Sequence, residues 1–269
     1  QRAKVNNATL RNRGWELSVN WSDQLKNGFS YGIGFNIFDY KAVVTKYNNP
    51  EGLIYNNHTG LVRNKGYYQG MDLGEIWGYE ANDLFLTNQE VDEYLRGVDM
   101  SFFKPNKDWQ RGDLKYIDSN GDGKIDPGSG TLKDHGDLKI IGNTTPRYSF
   151  GLNLHAGYKG FEVSALFQGV MKRDFPMAAS TYLFSGDSNF FKEHLDYYNV
   201  YNPGAYLPRL TKPDSPEYNA NVGYNTSRYL LNAAYMRLKN LMISYNFQPK
   251  LVKKMGLENL KVYFTCDNL

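Results

Sequence analysis

Gly14-Trp15-Glu16-Leu17-Ser18-Val19-Asn20-Trp21 is the stretch on which the fold turns. Its odd positions, Trp15, Leu17, Val19 and Trp21, are apolar and its even positions, Glu16, Ser18 and Asn20, are polar. That period of two gives a β-strand one apolar and one polar face. A polar turn from Asp23 to Gly28 follows, and the parity resumes with Phe29, Tyr31, Ile33, Phe35 and Ile37 against Ser30, Gly32, Gly34 and Asn36. Residues 13–38 therefore read as a hairpin. A second hairpin, at 147–169, sets Tyr148, Phe150, Leu152, Leu154 and Ala156 against Arg147, Ser149, Gly151, Asn153 and His155. It turns at Gly157-Tyr158-Lys159-Gly160 and returns through Phe161, Val163, Ala165 and Phe167. A third, at 235–266, runs Leu241, Ile243, Tyr245 and Phe247, passes Pro249 to Gly256 as a brief helix, and returns through Leu260, Val262, Phe264 and Cys266.

Between the hairpins lie two long connections, about 40–146 and 170–233, rich in Asn, Gly, Asp, Pro and Tyr. They read as loops without regular structure, except where Thr87-Asn88-Gln89-Glu90 forms a capping box and Val91, Tyr94 and Leu95 share a helical face, predicting a short surface helix at 88–96. Long structureless loops are uncommon in compact soluble domains. Short connections alternating with long ones are the pattern of an outer-membrane barrel, whose periplasmic turns are short and extracellular loops long. The expected fold is all-β: an antiparallel up-and-down transmembrane β-barrel segment, an incomplete barrel, with long extracellular loops.

Composition agrees. Tyr and Gly number 22 and 26, aromatics make up 15 % and charged residues 22 %, a mixture that suits strands and turns better than helices. The net charge of +3 comes from scattered Lys and Arg with no basic stripe, which argues against nucleic acid as a partner. The single cysteine, Cys266, leaves no disulfide framework or Cys-based metal cluster and reads as a core-type residue. No apolar run reaches the roughly 20 residues of a membrane-spanning helix. A mean hydropathy of −0.60 is no objection to a barrel, whose strands are polar on alternate positions. Trp15, Trp21 and Tyr31 suit the aromatic girdles at the membrane interfaces.

Specific strings narrow the class. Gly112-Asp113-Leu114-Lys115-Tyr116-Ile117-Asp118-Ser119-Asn120-Gly121-Asp122-Gly123-Lys124-Ile125-Asp126, followed by Ile141-Gly142-Asn143-Thr144-Thr145-Pro146, resembles a signature of SusC/RagA-type TonB-dependent outer-membrane transporters. Tyr158-Lys159-Gly160-Phe161, Phe167-Gln168-Gly169-Val170, Tyr235-Met236-Arg237-Leu238-Lys239-Asn240-Leu241 and Gly256-Leu257-Glu258-Asn259-Leu260 are similar to that family's paired strands in the same order. The resemblance implies a nutrient importer of the cell outer membrane, embedded in lipid, taking up glycans or peptides with a SusD-like surface lipoprotein, and no enzyme. It also implies a plug domain and a segment for the TonB complex N-terminal to this chain, and C-terminal strands beyond it, in a barrel of about 22 strands.

The sharpest chemical constellation is Asp118, Asn120, Asp122, Lys124 through its backbone carbonyl, and Asp126. Their spacing reproduces the front half of an EF-hand calcium loop, with Gly123 at the turn position. Position twelve is Ser129 instead of a bidentate Glu, so Asp134 or Asp137 would complete the shell around Ca2+; the bland alternative is an Asx-rich turn. For catalysis, His58, His135, His155 and His194 lack ligand spacing, and no nucleophile elbow or phosphate loop occurs. Glu75, Glu80 and Asp83 imitate a glycosidase pair only on paper. The loop aromatics Tyr67, Tyr68, Trp77, Tyr79, Trp109, Tyr197, Tyr198 and Tyr201 read first as packing within folded loops and second as stacking surfaces for sugars or a partner. The rival readings are a soluble, secreted, calcium-dependent carbohydrate-binding β-domain and a secreted glycosidase domain.

Overall fold

The computed structural model describes residues 8–54, 66–177, 192–212 and 215–269. In chain order the strands are β1 (Ala8–Gln24), β2 (Ser30–Tyr47), β3 (Glu75–Gly78), β4 (Ala81–Leu84), β5 (Leu114–Tyr116), β6 (Lys139–Asn143), β7 (Arg147–Tyr158), β8 (Phe161–Lys172), β9 (Asp174–Pro176), β10 (Leu230–Asn232), β11 (Tyr235–Asn246) and β12 (Lys261–Asp267). The two longest helices among the described residues are α1 (Asn88–Leu95) and α2 (Pro249–Lys254). The chain divides into two compact units. One comprises Asn12–Lys41, Pro146–Arg173 and Ala233–Leu269; the other holds Gln1–Arg11, Ala42–Thr145 and Asp174–Asn232. The architecture is antiparallel β-sheet with few helices, and the main sheet is open.

The first unit is a six-stranded sheet in the order β1-β2-β7-β8-β11-β12. Register carries the sequence parity from strand to strand: Phe35 lies opposite Leu152, and Leu152 opposite Phe167, while Gly34 lies opposite Asn153 and His155 opposite Ser164. Beyond a bulge between Leu238 and Asn240 the order persists, with Ile243 opposite both Val163 and Phe264, and Ser244 opposite Glu162 and Tyr263. One face is thus continuously apolar and the other mostly polar. The apolar face is open, with Trp15, Val19, Trp21, Phe161, Val262 and Phe264 half exposed or more. Cys266 belongs to this face at intermediate exposure and not to an interior core.

Three short connections lie at one end of this sheet. Lys159 and Gly160 have φ of 48° and 89°, the two left-handed positions of a tight hairpin turn matched to strand twist. Leu25–Phe29 closes the first hairpin and α2, begun by Pro249, the third. Antiparallel pairing puts the four points where the chain leaves and re-enters the sheet, Lys41, Pro146, Arg173 and Ala233, at the opposite end. There Asp39, 6 % exposed, accepts bonds from Arg147 Nε at 2.6 Å, Arg147 Nη2 at 2.5 Å and Tyr148 N at 3.2 Å. Tyr148 has φ of 54°, a strained value for an aromatic residue, and the carboxylate between its N–H and Arg147 holds it there.

The second unit corrects the expectation of long loops without structure. Its segments share a core of Val44, Tyr79, Phe85, Val91, Met100, Phe103, Trp109, Leu114, Tyr116, Ile125 and Leu138, among others. Aromatic rings supply the burial that periodic strands would otherwise provide: Phe103 stacks on Tyr116 at 4.2 Å, and Tyr79 meets Phe103 edge-on at 5.2 Å. Three two-stranded ribbons, β3-β6, β4-β5 and β9-β10, frame this core. Helix α1 forms where its capping box stands: Thr87 accepts from Glu90 N, Glu90 accepts from Leu86 N, and Val91 is buried.

A buried ion network ties this unit together. Asp113, 0 % exposed, accepts from Lys104 Nζ at 2.6 Å, Arg209 Nε at 2.6 Å, Asn221 Nδ2 at 2.8 Å and its neighbour Gln110 N at 2.9 Å. Lys104 is buried too, with its ammonium 4.2 Å above the Trp109 ring; burial pulls its pKa below the usual lysine range, against the attraction of Asp113. Truncating one partner of such a network strands the opposite charges, at a cost of about 3–5 kcal/mol. Asp113→Ala is therefore expected to expose the 99–116 segment to proteolysis and rapid amide exchange. Lys104→Met, which leaves Asp113 bonded to Arg209 and Asn221, should do so less; equal protection of wild type and Asp113→Ala would refute this role.

Candidate functional site

The polar face of the sheet is built by close approach. A Cβ at Gly32 would run into the His155 ring, one at Gly34 would lie 2.7 Å from Asn20 Oδ1, and one at Gly151 2.5 Å from Asn36 Oδ1. The glycines let these polar side chains lie against the sheet. Farther along, Glu162 gathers three neighbouring strands, accepting from Lys261 Nζ at 2.8 Å, Asn246 Nδ2 at 3.0 Å and Ser244 Oγ at 3.3 Å. Asn240 reaches Asp267 Oδ1 at 2.8 Å. These bonds satisfy polar groups laterally within the sheet. On the apolar face, at the short-turn end, rings gather: Phe29 with Tyr31 at 6.0 Å, Phe161 with Tyr245 at 4.5 Å, and Tyr245 with Phe247 at 4.9 Å.

The acidic loop is brought together as a chain of turns. Asp118 accepts from Gly121 N at 2.7 Å and Gly123 N at 2.9 Å, Asn120 Oδ1 from Asp122 N at 3.0 Å, Asp122 Oδ1 from Lys124 N at 2.9 Å, and Asp126 Oδ1 from Gly128 N at 2.7 Å. Lys124 is also bridged to Asp99. Asp137, one of the two carboxylates proposed to complete the shell, is buried and accepts from Ser119 N at 2.7 Å and Asp126 N at 2.9 Å, pinning both ends of the loop. Burial raises its pKa against those N–H donors. Asp134 instead binds Ser129 N, and among the described residues no three His, Cys, Asp or Glu side chains are grouped to hold a metal ion. The side-chain oxygens meet backbone donors one by one, as in Asx-turns.

Other residues singled out from the sequence have structural employment. Glu80 pairs with Lys139 at 2.8 Å and accepts from Ser119 Oγ at 3.1 Å, and Lys139 holds its pKa below the usual range. Glu75 accepts from the Tyr68 hydroxyl and from Asp72 N. Of the aromatics, Tyr68, Trp77, Tyr79, Trp109 and Tyr198 are buried, Tyr197 packs against the core, Tyr67 is exposed and Tyr201 is 94 % exposed. His135 lies 5.5 Å from the Trp77 ring, His155 is on the polar face and His194 is buried in the second unit; His58, with its Asn57-Xaa-Thr59 sequon, lies outside the described residues. The network at Asp113, Lys104, Arg209 and Asn221 was missed as a unit, although Gly112-Asp113 opens the signature string.

No family model matches the chain. It is 26 % identical over 265 residues to TonB-dependent receptor P3 of Formosa agariphila, covering 97 % of this chain and 24 % of that protein. TonB-dependent receptor P39 of the same organism is 28 % identical over 293 residues, at 95 % of this chain and 26 % of its own length. The chain thus spans about a quarter of the length of the curated relatives it matches. In fold it is similar to a chain of the RagAB peptide transporter, with a TM-score of 0.64 and 18 % identity over 98 % of this chain and 26 % of that one. The "open-open" RagAB peptide importer gives 0.62 and 16 % over 97 % and 25 %. Along nearly its whole length, then, the chain is similar in sequence to TonB-dependent receptors and in fold to a chain of the RagAB transporter.

Proposed function

We propose that this chain is a piece of the wall and outer loops of an outer-membrane β-barrel that imports a nutrient, glycan or peptide, with TonB-derived energy and a SusD-like surface lipoprotein. The observation that carries the reading is the parity preserved by register across the sheet, with an apolar face left open. In water an uncovered face of this breadth is a liability, whereas lipid is its natural solvent. The 12 residues each of β7, β8 and β11 exceed the ~9–11 a tilted strand needs to cross. On this reading Trp15, Leu17, Val19, Phe29, Ile33, Phe35, Phe150, Leu152, Phe161 and Val163 face lipid, and Ser18, Asn20, Asn36, Asn153 and Ser164 face the lumen. The ring cluster at the short-turn end would form a periplasmic girdle, and the second unit would be extracellular. The soluble carbohydrate-binding domain is the alternative, and detergent dependence separates the two.

Two neighbouring substitutions test the faces. Leu152→Arg in the full-length protein should cost about 2–4 kcal/mol of barrel stability near the bilayer midplane, and Asn153→Arg far less. Heat-modifiable mobility in gels reads both, and equal tolerance would reject the lipid face. Sidedness is tested on intact cells: a cysteine replacing the exposed Tyr201 should react with a membrane-impermeant maleimide, and one replacing Lys159 should not. Equal labelling would reject the topology.

Calcium at Asp118, Asn120, Asp122, Asp126 and the Lys124 carbonyl is part of the proposal, supported by spacing. Binding would require the carboxylates to exchange their N–H partners for the ion, so the affinity should be that of an extracellular module, with a Kd of about 10⁻⁴–10⁻³ M. Calorimetry of wild type against Asp122→Ala should give a calcium heat that the variant loses. Identical titrations would leave the loop a turn.

A further inference from the structure

The apolar face of the sheet ends, at the side of the long connections, in a row of cations that lies entirely within the sheet unit. β1 and β2 are neighbours; a Cβ at Gly14 would meet Tyr40 Cβ at 3.0 Å, and one at Gly34 would meet Asn20 Oδ1 at 2.7 Å. Gly14 and Asn20 have the same separation along β1 as Gly34 and Tyr40 along β2, so one unbroken register joins the two contacts. That register sets Trp15 opposite Asp39 and Arg13 opposite Lys41. The pairing of β2 with β7, carried past Phe38 and Ser149, brings Lys41 level with Pro146, and the pairing of β7 with β8 brings Pro146 level with Arg173. Arg13, Lys41 and Arg173 therefore form one row across four strands. Each keeps the parity of its strand's apolar positions: Arg13 with Trp15, Leu17 and Val19, Lys41 with Ile33, Phe35 and Ile37, and Arg173 with Val163, Phe167 and Met171. Arg13 and Lys41 are exposed and Arg173 is half-buried. The next row inward holds Trp15, Tyr148 and Met171, all exposed, and Asp39, whose charge is matched by Arg147.

We propose that Arg13, Lys41 and Arg173 bind phosphate groups of an anionic glycolipid in the outer leaflet of the membrane. The inference rests on the lipid-facing reading of the sheet. On that reading, a face that stays apolar along every strand and then turns cationic in a single row passes there from hydrocarbon to headgroups. Trp15 and Tyr148, in the row between, are the amphipathic aromatics of such a boundary. Arg and Lys lay their aliphatic stems along apolar surface and hold the charge out at headgroup level. A guanidinium gives paired N–H donors to phosphate oxygens, and an ammonium adds a mobile point charge. Arg13 and Lys41 repel each other across the strands, and an anion between them relieves that repulsion. A zwitterionic headgroup brings its own cation and answers the row less well. The lysines at the other end of the sheet, Lys26, Lys159 and Lys253, stand in turns and in α2, outside the strands. Free phosphate offers the same oxygens, but the row continues a lipid-facing surface, which makes the lipid the source.

The test is an equilibrium titration of the full-length transporter, in nonionic detergent micelles, with diphosphoryl lipid A and with the same lipid stripped of its phosphates. The phosphorylated lipid should bind at least about ten-fold more tightly, the size expected when several basic side chains meet an anionic headgroup, and the preference should shrink with added salt. Arg13→Gln/Lys41→Gln should reduce it several-fold while leaving the dephosphorylated lipid and the melting temperature unchanged. The charge-conserving exchange Arg13→Lys/Lys41→Arg should retain most of it, as should Lys159→Gln/Lys253→Gln at the other end. Two lipids that bind alike, or a preference that survives Arg13→Gln/Lys41→Gln, would overturn the proposal. So would loss of the preference in the charge-conserving exchange, which would assign the effect to packing. Inorganic phosphate that displaces lipid A as fully as excess lipid A does would overturn the lipid source. Failure of the import reading is distinct: neither lipid would bind, and Leu152→Arg would be tolerated as well as Asn153→Arg.

Discussion

A single carboxylate, Asp113, sets the terms for the second unit. With no exposure to solvent and two cations within 2.6 Å, it is stable only if Lys104, Arg209 and Asn221 all arrive, and these come from segments separated by roughly a hundred residues of chain. Apolar residues alone would tolerate many alternative arrangements of segments so short of regular structure, whereas a buried charge tolerates few. The aromatic core supplies the burial, and the network supplies the uniqueness. Asp137 does the same work on a smaller scale by holding both ends of the acidic loop.

The sheet unit obeys a different constraint. The apolar face of its strands is exposed among the described residues, so the usual separation of core from surface is replaced by a separation of faces. Parity has to survive every strand junction, since a slip of one residue would turn a whole strand inside out. The bulge at Leu238/Asn240 is the place where that requirement is visible, because register changes there and apolar still meets apolar on the far side.

How far the sequence reveals this follows from the same division. The hairpins are legible because alternation is a local signal of period two, and the capping box at Thr87 because its four residues are contiguous. The second unit is not, since its order comes from contacts such as Phe103 on Tyr116 and Asp113 with Arg209, between positions without shared periodicity. Its chemistry is legible in type more than in use. The spacing of Asp118, Asn120, Asp122 and Asp126 is that of a loop rich in side-chain oxygens, and a ligand sphere and a series of Asx-turns need the same residues. Acidic and nearby, Asp137 is with Asp134 one of two carboxylates that the sequence offers to complete a calcium shell, while its N–H partners across the loop depend on three-dimensional closure.

The glycines of the polar face carry a consequence of their own. Where Gly32, Gly34 and Gly151 stand, the side chains of His155, Asn20 and Asn36 fold over bare backbone instead of standing away from it. The relief of the polar face is thereby kept shallow at these positions. If this face lines a lumen, as proposed, a hydrated solute sliding along it would trade one weak hydrogen bond for the next at nearly constant energy, with no deep notch at these positions in which to stall.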